Sequence, residues 1–249
     1  MKKKWLVVAG VVLVAALMGW LIIGPSRKGD TVEILGDSIT EVSNQVLRAG
    51  LSDYTLNIQA MGGLRTDQLQ AAADQGATSH PKQVIINLGT NDVLQGRGVD
   101  QFKASLEKMI STFGSADCIH VVTLNTHMVT ASGSNEALLQ SANHAIGELV
   151  GQHPNVDRID WNKIVEASDD HAGKETITFD SIHPNLKGQL LLAHAYADAL
   201  KNCGRPVLFH AEITTSYRKW PTATEGLMPA HESGLTEAVA NCSRPMVAS

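Results

Sequence analysis

Two kinds of hydrophobic spacing alternate along most of the chain. Short apolar runs occur at Thr31–Leu35, Thr55–Ala60, Val84–Leu88, Ile119–Leu124 and Val156–Trp161. Runs of this length read as buried parallel strands, because helices cover both faces of such a sheet. Between them, apolar residues recur at helical spacing. Phe102, Leu106, Met109, Ile110 and Phe113 fall on one helix face, and so do Leu138, Ala142, Ile146, Leu149 and Val150. Leu186–Leu200 reads as a last helix, with Pro184 near its start and Gly204 just past its end. Strand–helix alternation through five strands predicts an α/β doubly wound sheet. Active groups in such sheets sit in loops at the carboxyl ends of the strands, the edge where Gly36, Gly62-Gly63 and Gly89 fall.

Both ends of the chain break this pattern. Lys2, Lys3 and Lys4 precede an uncharged stretch from Trp5 to Ile23. As a helix it would span roughly 28 Å, about one hydrocarbon core. Gly24-Pro25 closes it, and no good small-x-small exit follows, because Gly24 is succeeded by Pro25 and Ala16-Leu17-Met18 fits badly. An uncleaved signal anchor is therefore expected, with a cleaved signal peptide as the alternative. The leading lysines favour a cytoplasmic start and an extracytoplasmic body. Residues 1–30 are expected to form this membrane segment and residues 31–204 the folded domain. Residues 205–249 carry Pro206, Pro221, Pro229 and Pro245 with little periodicity, and are expected to be an irregular tail.

Composition removes several classes of function. A net charge of −5, with no basic block beyond the first four residues, leaves no electrostatic footprint for nucleic acid. Aromatic residues make up 4%, too few to suggest a stacked platform for carbohydrate. His127, His144, His171 and His194 show no paired ligand spacing, so neither a metal nor any other cofactor is expected. Cys118, Cys203 and Cys242 form no CxxC pair and read as incidental thiols; a Cys118–Cys203 disulfide is the alternative in an oxidising compartment.

Four separated segments supply complementary parts of an acyl-transfer site. Ser38, in Gly36-Asp37-Ser38-Ile39, stands in a turn from a strand into a helix, where its hydroxyl is exposed beside backbone N–H groups. Asp180-Ser181-Ile182-His183 precedes the last helix. A carboxylate three residues ahead of an imidazole can fold back onto Nδ1, freeing Nε2 to take the serine proton. An oxyanion needs preorganised donors, and the candidates are the Ser38 N–H, a glycine N–H from Gly62-Gly63 and the Asn91 amide in Gly89-Thr90-Asn91-Asp92. Each segment alone is a common turn; their order and their places beside strands and helices make them specific.

Together these blocks resemble those of the SGNH hydrolases, or GDSL esterases, over residues 31–202. The resemblance implies a flavodoxin-like three-layer α/β sandwich with a five-stranded parallel sheet of order 2-1-3-4-5. It assigns Ser38 as nucleophile, His183 as base, Asp180 as its orienting partner, and Ser38, Gly63 and Asn91 to the oxyanion hole. The glycine register stays open between Gly62 and Gly63, and Gln59 stands where the family often has Asn or Asp. Val121–Asn125 and Ile159-Asp160-Trp161 are similar to the SGNH domains of cell-wall O-acetyltransferases. The expected activity is hydrolysis of small acyl esters or O-acetylated glycans. The alternatives are acetyl transfer to a cell-envelope glycan and a glycan-binding module without catalysis. His171 is a weaker candidate base, Arg65 reads as a solvated helix-start residue, and Asp92 as a brace for its own turn.

Overall fold

The computed structural model describes residues 27–204. The expected span Trp5–Ile23 and the tail 205–249 lie outside them. Among the described residues no helix is long and apolar enough to cross a membrane.

Five parallel strands form the central sheet: β1 (Thr31–Gly36), β2 (Thr55–Ala60), β3 (Gln83–Asn87), β4 (Cys118–Val122) and β7 (Val156–Ile159). Their spatial order is β2-β1-β3-β4-β7. Counted along the chain as sheet strands this is 2-1-3-4-5, the expected order. Every residue of β3 and β4 is buried, which is why these strands read as continuous apolar runs. The register sets Gly36 level with Ala60 on one side and with Asn87 on the other. The loops that leave β1, β2 and β3 therefore start side by side.

Helices cover both faces. On one, α1 (Ser38–Gly50) packs against α7 (Leu186–Asn202), which also meets α6 (Trp161–Ala167). On the other, α4 (Val99–Thr112) lies between α2 (Gln70–Ala77) and α5 (Glu136–Gln152). The short α3 (Thr90–Leu94) follows β3. Phe102, Leu106, Met109, Ile110 and Phe113 are all buried, as their spacing predicts. On α5 the buried face is Leu139, Ala142, Ala145, Ile146 and Leu149, whereas Leu138 is 49% exposed. Both Leu138 and Leu139 lie one turn before Ala142; the i, i+3, i+7, i+10 row from Leu139 is the one that meets the sheet.

Three features depart from the sequence expectation. Strands β4 and β7 stop at Val122 and Ile159, and Trp161 opens α6, where the Asp160 carboxylate caps by accepting from the Lys163 N–H at 3.2 Å. A two-stranded antiparallel hairpin, β5 (Val129–Thr130) with β6 (Gly133–Ser134), sits between β4 and α5. Cys118 and Cys203 are joined in a disulfide with their Cα atoms 5.8 Å apart, so the incidental-thiol reading is wrong for this pair. The bond ties the first residue of β4 to the end of α7. Beside it, at the amino ends of the strands, runs a polar chain. Buried His120 meets Asp157 through Nδ1 at 2.5 Å and Gln83 Oε1 through Nε2 at 3.2 Å. Gln83 donates to Asp30 at 2.9 Å, and Arg27 donates to Asp117 at 2.8 Å. The buried imidazole and the Gln83 amide thus find partners in one another and in carboxylates nearer the surface.

Candidate active site

The carboxyl edge of the sheet gathers the separated segments. Ser38 is the first residue of α1, and Asp37 is its N-cap, accepting from the Ile39 N–H at 3.0 Å. The first N–H groups of a helix lack intrahelical acceptors. The Ser38 N–H is one of them, set beside its own hydroxyl. Across the edge, His183 Nε2 lies 2.9 Å from Ser38 Oγ, and His183 Nδ1 lies 2.7 Å from Asp180 Oδ2. Serine, imidazole and carboxylate form one continuous hydrogen-bonded relay.

The loop that carries Asp180 and His183 is held from several sides. Asp180 Oδ1 accepts from the N–H groups of Ile182 at 3.0 Å and His183 at 2.7 Å, which folds the carboxylate back onto the imidazole. Ser181 makes the sharp turn between them at φ +64°. Its carbonyl accepts from Asn125 Nδ2 at 2.9 Å, and its hydroxyl is bonded to both the N–H and the carbonyl of Val129. The β5–β6 hairpin and the loop after β4 thus brace the turn. Upstream, the buried Asp170 carboxylate accepts from the N–H groups of Ile177 and Thr178 and from the Thr178 hydroxyl. Phe179 stacks on the His183 ring, with centroids 5.6 Å apart, and is 55% exposed.

Charge follows from these contacts. The hydrogen bond to Asp180 raises His183 above its ordinary value, against the opposing effect of burial; the charges of Asp180 and Asp37 add to the rise. Burial works to raise Asp180, but its bonds to His183 prevail and hold it below the usual carboxylate range. Asp170 likewise stays low: its hydrogen bonds from Thr178, Ile177 and Thr176 outweigh burial. Asp37 behaves in the opposite way. It has no exposed surface, and burial pushes it up to about 7 despite the Ile39 N–H and the nearby His183.

The donor side is assembled from the loops after β2 and β3. Asn91 is buried in α3 and donates one Nδ2 hydrogen to Asp37 Oδ2 at 3.3 Å, leaving the other hydrogen uncommitted. Gly63 has φ +78°, a conformation that L side chains rarely adopt. Its carbonyl accepts from Gln95 Nε2 at 2.7 Å, and its N–H has no acceptor among the described residues. The Gly62 N–H is committed, donating to Glu41 Oε2 at 2.7 Å. Gln59, at the root of this loop, donates to the buried Glu33 carboxylate at 2.6 Å and to the Ala72 carbonyl at 3.2 Å.

The residues weighed as secondary fall in other places. Asp92 does not brace its own turn alone: it accepts from both the N–H and hydroxyl of Thr66 at 2.9 Å and pairs with Arg97 at 2.7 Å. It therefore clamps the loop after β2 to the loop after β3. Arg65 is engaged by Asp67 at 3.1 Å and Gln95 at 2.8 Å. His171 pairs through its backbone with Lys174, and its ring lies 3.8 Å from Asp169; the imidazole that reaches Ser38 is that of His183. Among the described residues no cluster of His, Cys, Asp and Glu could hold a metal ion. A surface depression of about 660 Å³ between α4 and α5 includes Lys103, His144 and Glu148 and none of the relay residues.

Fold and site together define a class: doubly wound α/β proteins with a serine–histidine–aspartate relay across the carboxyl edge of the sheet. The chain belongs to the GDSL-like Lipase/Acylhydrolase family, whose model matches residues 34–191, a span that includes Ser38, Asp180 and His183. It is 28% identical over 181 residues to the Bacillus subtilis (strain 168) protein named "Putative peptidoglycan O-acetyltransferase YrhL". That match takes in 72% of this chain and 25% of the relative, so the chain spans about a quarter of the relative's length. Among solved structures, a GDSL-like lipase from Bacteroides thetaiotaomicron VPI-5482 superposes with a TM-score of 0.61 at 16% identity, over 72% of this chain and 91% of that one. Axe2, an acetylxylan esterase from Geobacillus stearothermophilus, superposes with a TM-score of 0.56 at 16% identity, over 70% and 94%. At such identities these two likenesses speak to the fold alone.

Proposed function

We propose that this domain is a serine esterase that removes small acyl groups, acetyl foremost, from hydroxyls of cell-envelope glycans. The observation that carries the reading is the unbroken relay from Asp180 through His183 to Ser38, at 2.7 and 2.9 Å. In this mechanism Ser38 Oγ attacks the ester carbonyl while its proton passes to His183 Nε2. The carbonyl oxygen becomes an oxyanion that accepts from the Ser38 N–H, the Gly63 N–H and the free Asn91 Nδ2 hydrogen. His183 then returns the proton to the departing alcohol, leaving acyl-Ser38. Water, deprotonated by the same imidazole, releases the acid and restores the serine. Asp180 holds the Nδ1–H tautomer throughout.

The side chains of His183 and Asp180 are 26% and 40% exposed, which leaves the relay open to the water that hydrolysis requires. A second reading, acetyl transfer to a glycan hydroxyl through the same acyl-enzyme, is favoured by the likeness to the peptidoglycan O-acetyltransferase relative. We also place the domain outside the cytoplasm, anchored by residues 1–30. The Cys118–Cys203 disulfide supports an oxidising compartment.

Turnover of p-nitrophenyl acetate by the purified full chain tests the assignment. Ser38→Ala and His183→Ala should each abolish it, and undiminished activity in Ser38→Ala would overturn the nucleophile. Adding a chito-oligosaccharide and weighing the products separates the two readings. Free acetate alone fits the esterase, and an acetylated oligosaccharide fits the transferase.

A further inference from the structure

Glu41 lies three residues after Ser38, on the same side of the first turn of α1. Its Oε2 accepts the Gly62 N–H at 2.7 Å, the short distance of a charge-assisted hydrogen bond. Gly62 in turn packs against the nucleophile: a Cβ built there would lie 2.9 Å from Glu41 Oε2 and 3.5 Å from Ser38 Cβ. An N–H offers one hydrogen, and that of Gly62 is spent on a carboxylate. The next N–H in the chain, that of Gly63, has no acceptor among the described residues. The loop is pinned on its other side as well, because Gln95 Nε2 holds the Gly63 carbonyl at 2.7 Å while Arg65 holds Gln95 Oε1 at 2.8 Å.

We infer that Glu41 is a positioning residue for the oxyanion loop: by holding the Gly62 N–H it fixes the register, so that Gly63 is the glycine that donates to the oxyanion. The inference rests on the esterase reading. It accounts for the adjacent glycines by two separate demands. A Cβ at Gly62 would crowd the Glu41 carboxylate and shift the oxygen that holds the loop, whereas Gly63 is favoured by its positive φ. Glu41 touches no reacting atom; it acts through the loop.

One oxyanion donor is worth about 10²–10³ in kcat. Loosening rather than deleting it should cost less, so Glu41→Ala should lower kcat for p-nitrophenyl acetate roughly 10- to 100-fold with KM little changed. Glu41→Gln keeps an acceptor oxygen and should recover most of the loss. A global folding defect would not produce this split or this rescue. Amide resonances of the two glycines give an independent reading. In wild type treated with diethyl p-nitrophenyl phosphate, Ser38 Oγ bonds to phosphorus, p-nitrophenolate leaves and the serine proton passes to His183. The phosphoryl oxygen then stands where the oxyanion would. The Gly63 amide proton should move downfield in this adduct, whereas the Gly62 amide should respond to Glu41→Ala and not to the adduct. Unchanged kcat in a folded Glu41→Ala protein would overturn the inference. So would a raised kcat, or an adduct that shifts Gly62 instead, because Glu41 would then be competing for the working donor. All three outcomes leave the esterase reading standing, whereas a wild type that neither turns over ester nor takes the phosphoryl label would remove that reading and this inference with it.

Discussion

Replacing Asp37 with asparagine removes a titrating group from a fully buried position and keeps its shape. Burial lifts this carboxyl from 3.8 to about 7, so the folded protein holds a proton there that the unfolded chain has already released. A carboxyl raised on folding contributes stability that is complete below its unfolded value and lost as pH rises through its folded value. The displacement is roughly three pH units at ~1.4 kcal/mol each, or about 4 kcal/mol between pH 4 and pH 8.5. The amide of Asp37→Asn cannot titrate, so the variant should escape this loss. Urea unfolding of both proteins at pH 4, 6, 7 and 8.5 reads the effect. The stability of Asp37→Asn minus that of wild type should grow by about 4 kcal/mol across the series, with most of the change between pH 5 and 7. Any constant offset from altered bonds to Ile39 or Asn91 cancels in the comparison. A difference that stays flat with pH, or that shrinks as pH rises, would refute a buried carboxyl that is neutral in acid and charged at a cost in base.

Asp180→Asn should move the acidic limb of kcat/KM to lower pH, because the bond to Asp180 is the first cause of the raised His183. It should also cost less activity than His183→Ala; a pH profile with an unmoved limb would contradict the assignment. Cys203→Ser opens a bridge spanning 85 residues of sequence. In the chain-entropy model this is worth about 4–5 kcal/mol, so the variant and the reduced wild type should unfold at similar, clearly lower denaturant concentrations. A midpoint equal to that of the oxidised wild type would show that the bond adds nothing.

The parts of this molecule that were legible in its sequence are those with local signatures. The sheet strands stood out as short apolar segments between helical spacings, most plainly β3 and β4, whose every residue is buried, and the relay stood out because Asp180 and His183 lie three residues apart in one loop. What escaped depends on contacts distant in sequence. Strands β5 and β6 have two residues each, too few for any period, and are tied to the triad loop through Ser181. Asp92 reads as a local turn former until Thr66 is brought against it. Leu138 and Leu139 are both apolar, and only the docking angle of α5 decides which faces the sheet. The Gly62–Gly63 ambiguity could not be resolved from spacing, since it turns on a carboxylate 21 residues earlier in the chain. Cys118 and Cys203 carry no pairing signal at their separation.

The amino-end edge of the sheet has a consequence for how the domain is presented. Arg27, four residues before β1, donates to the carbonyl of Cys203 at 3.4 Å, so the chain comes into the described domain and leaves it at neighbouring points. Both points lie beside the disulfide, and Ser38 lies beyond the far end of β1. Six residues of strand at ~3.3 Å each separate the two edges by roughly 20 Å. Residues 27–204 therefore begin and end on one rim of the sheet and carry Ser38 on the opposite rim, so a change at either of those ends is separated from the relay by the length of a strand.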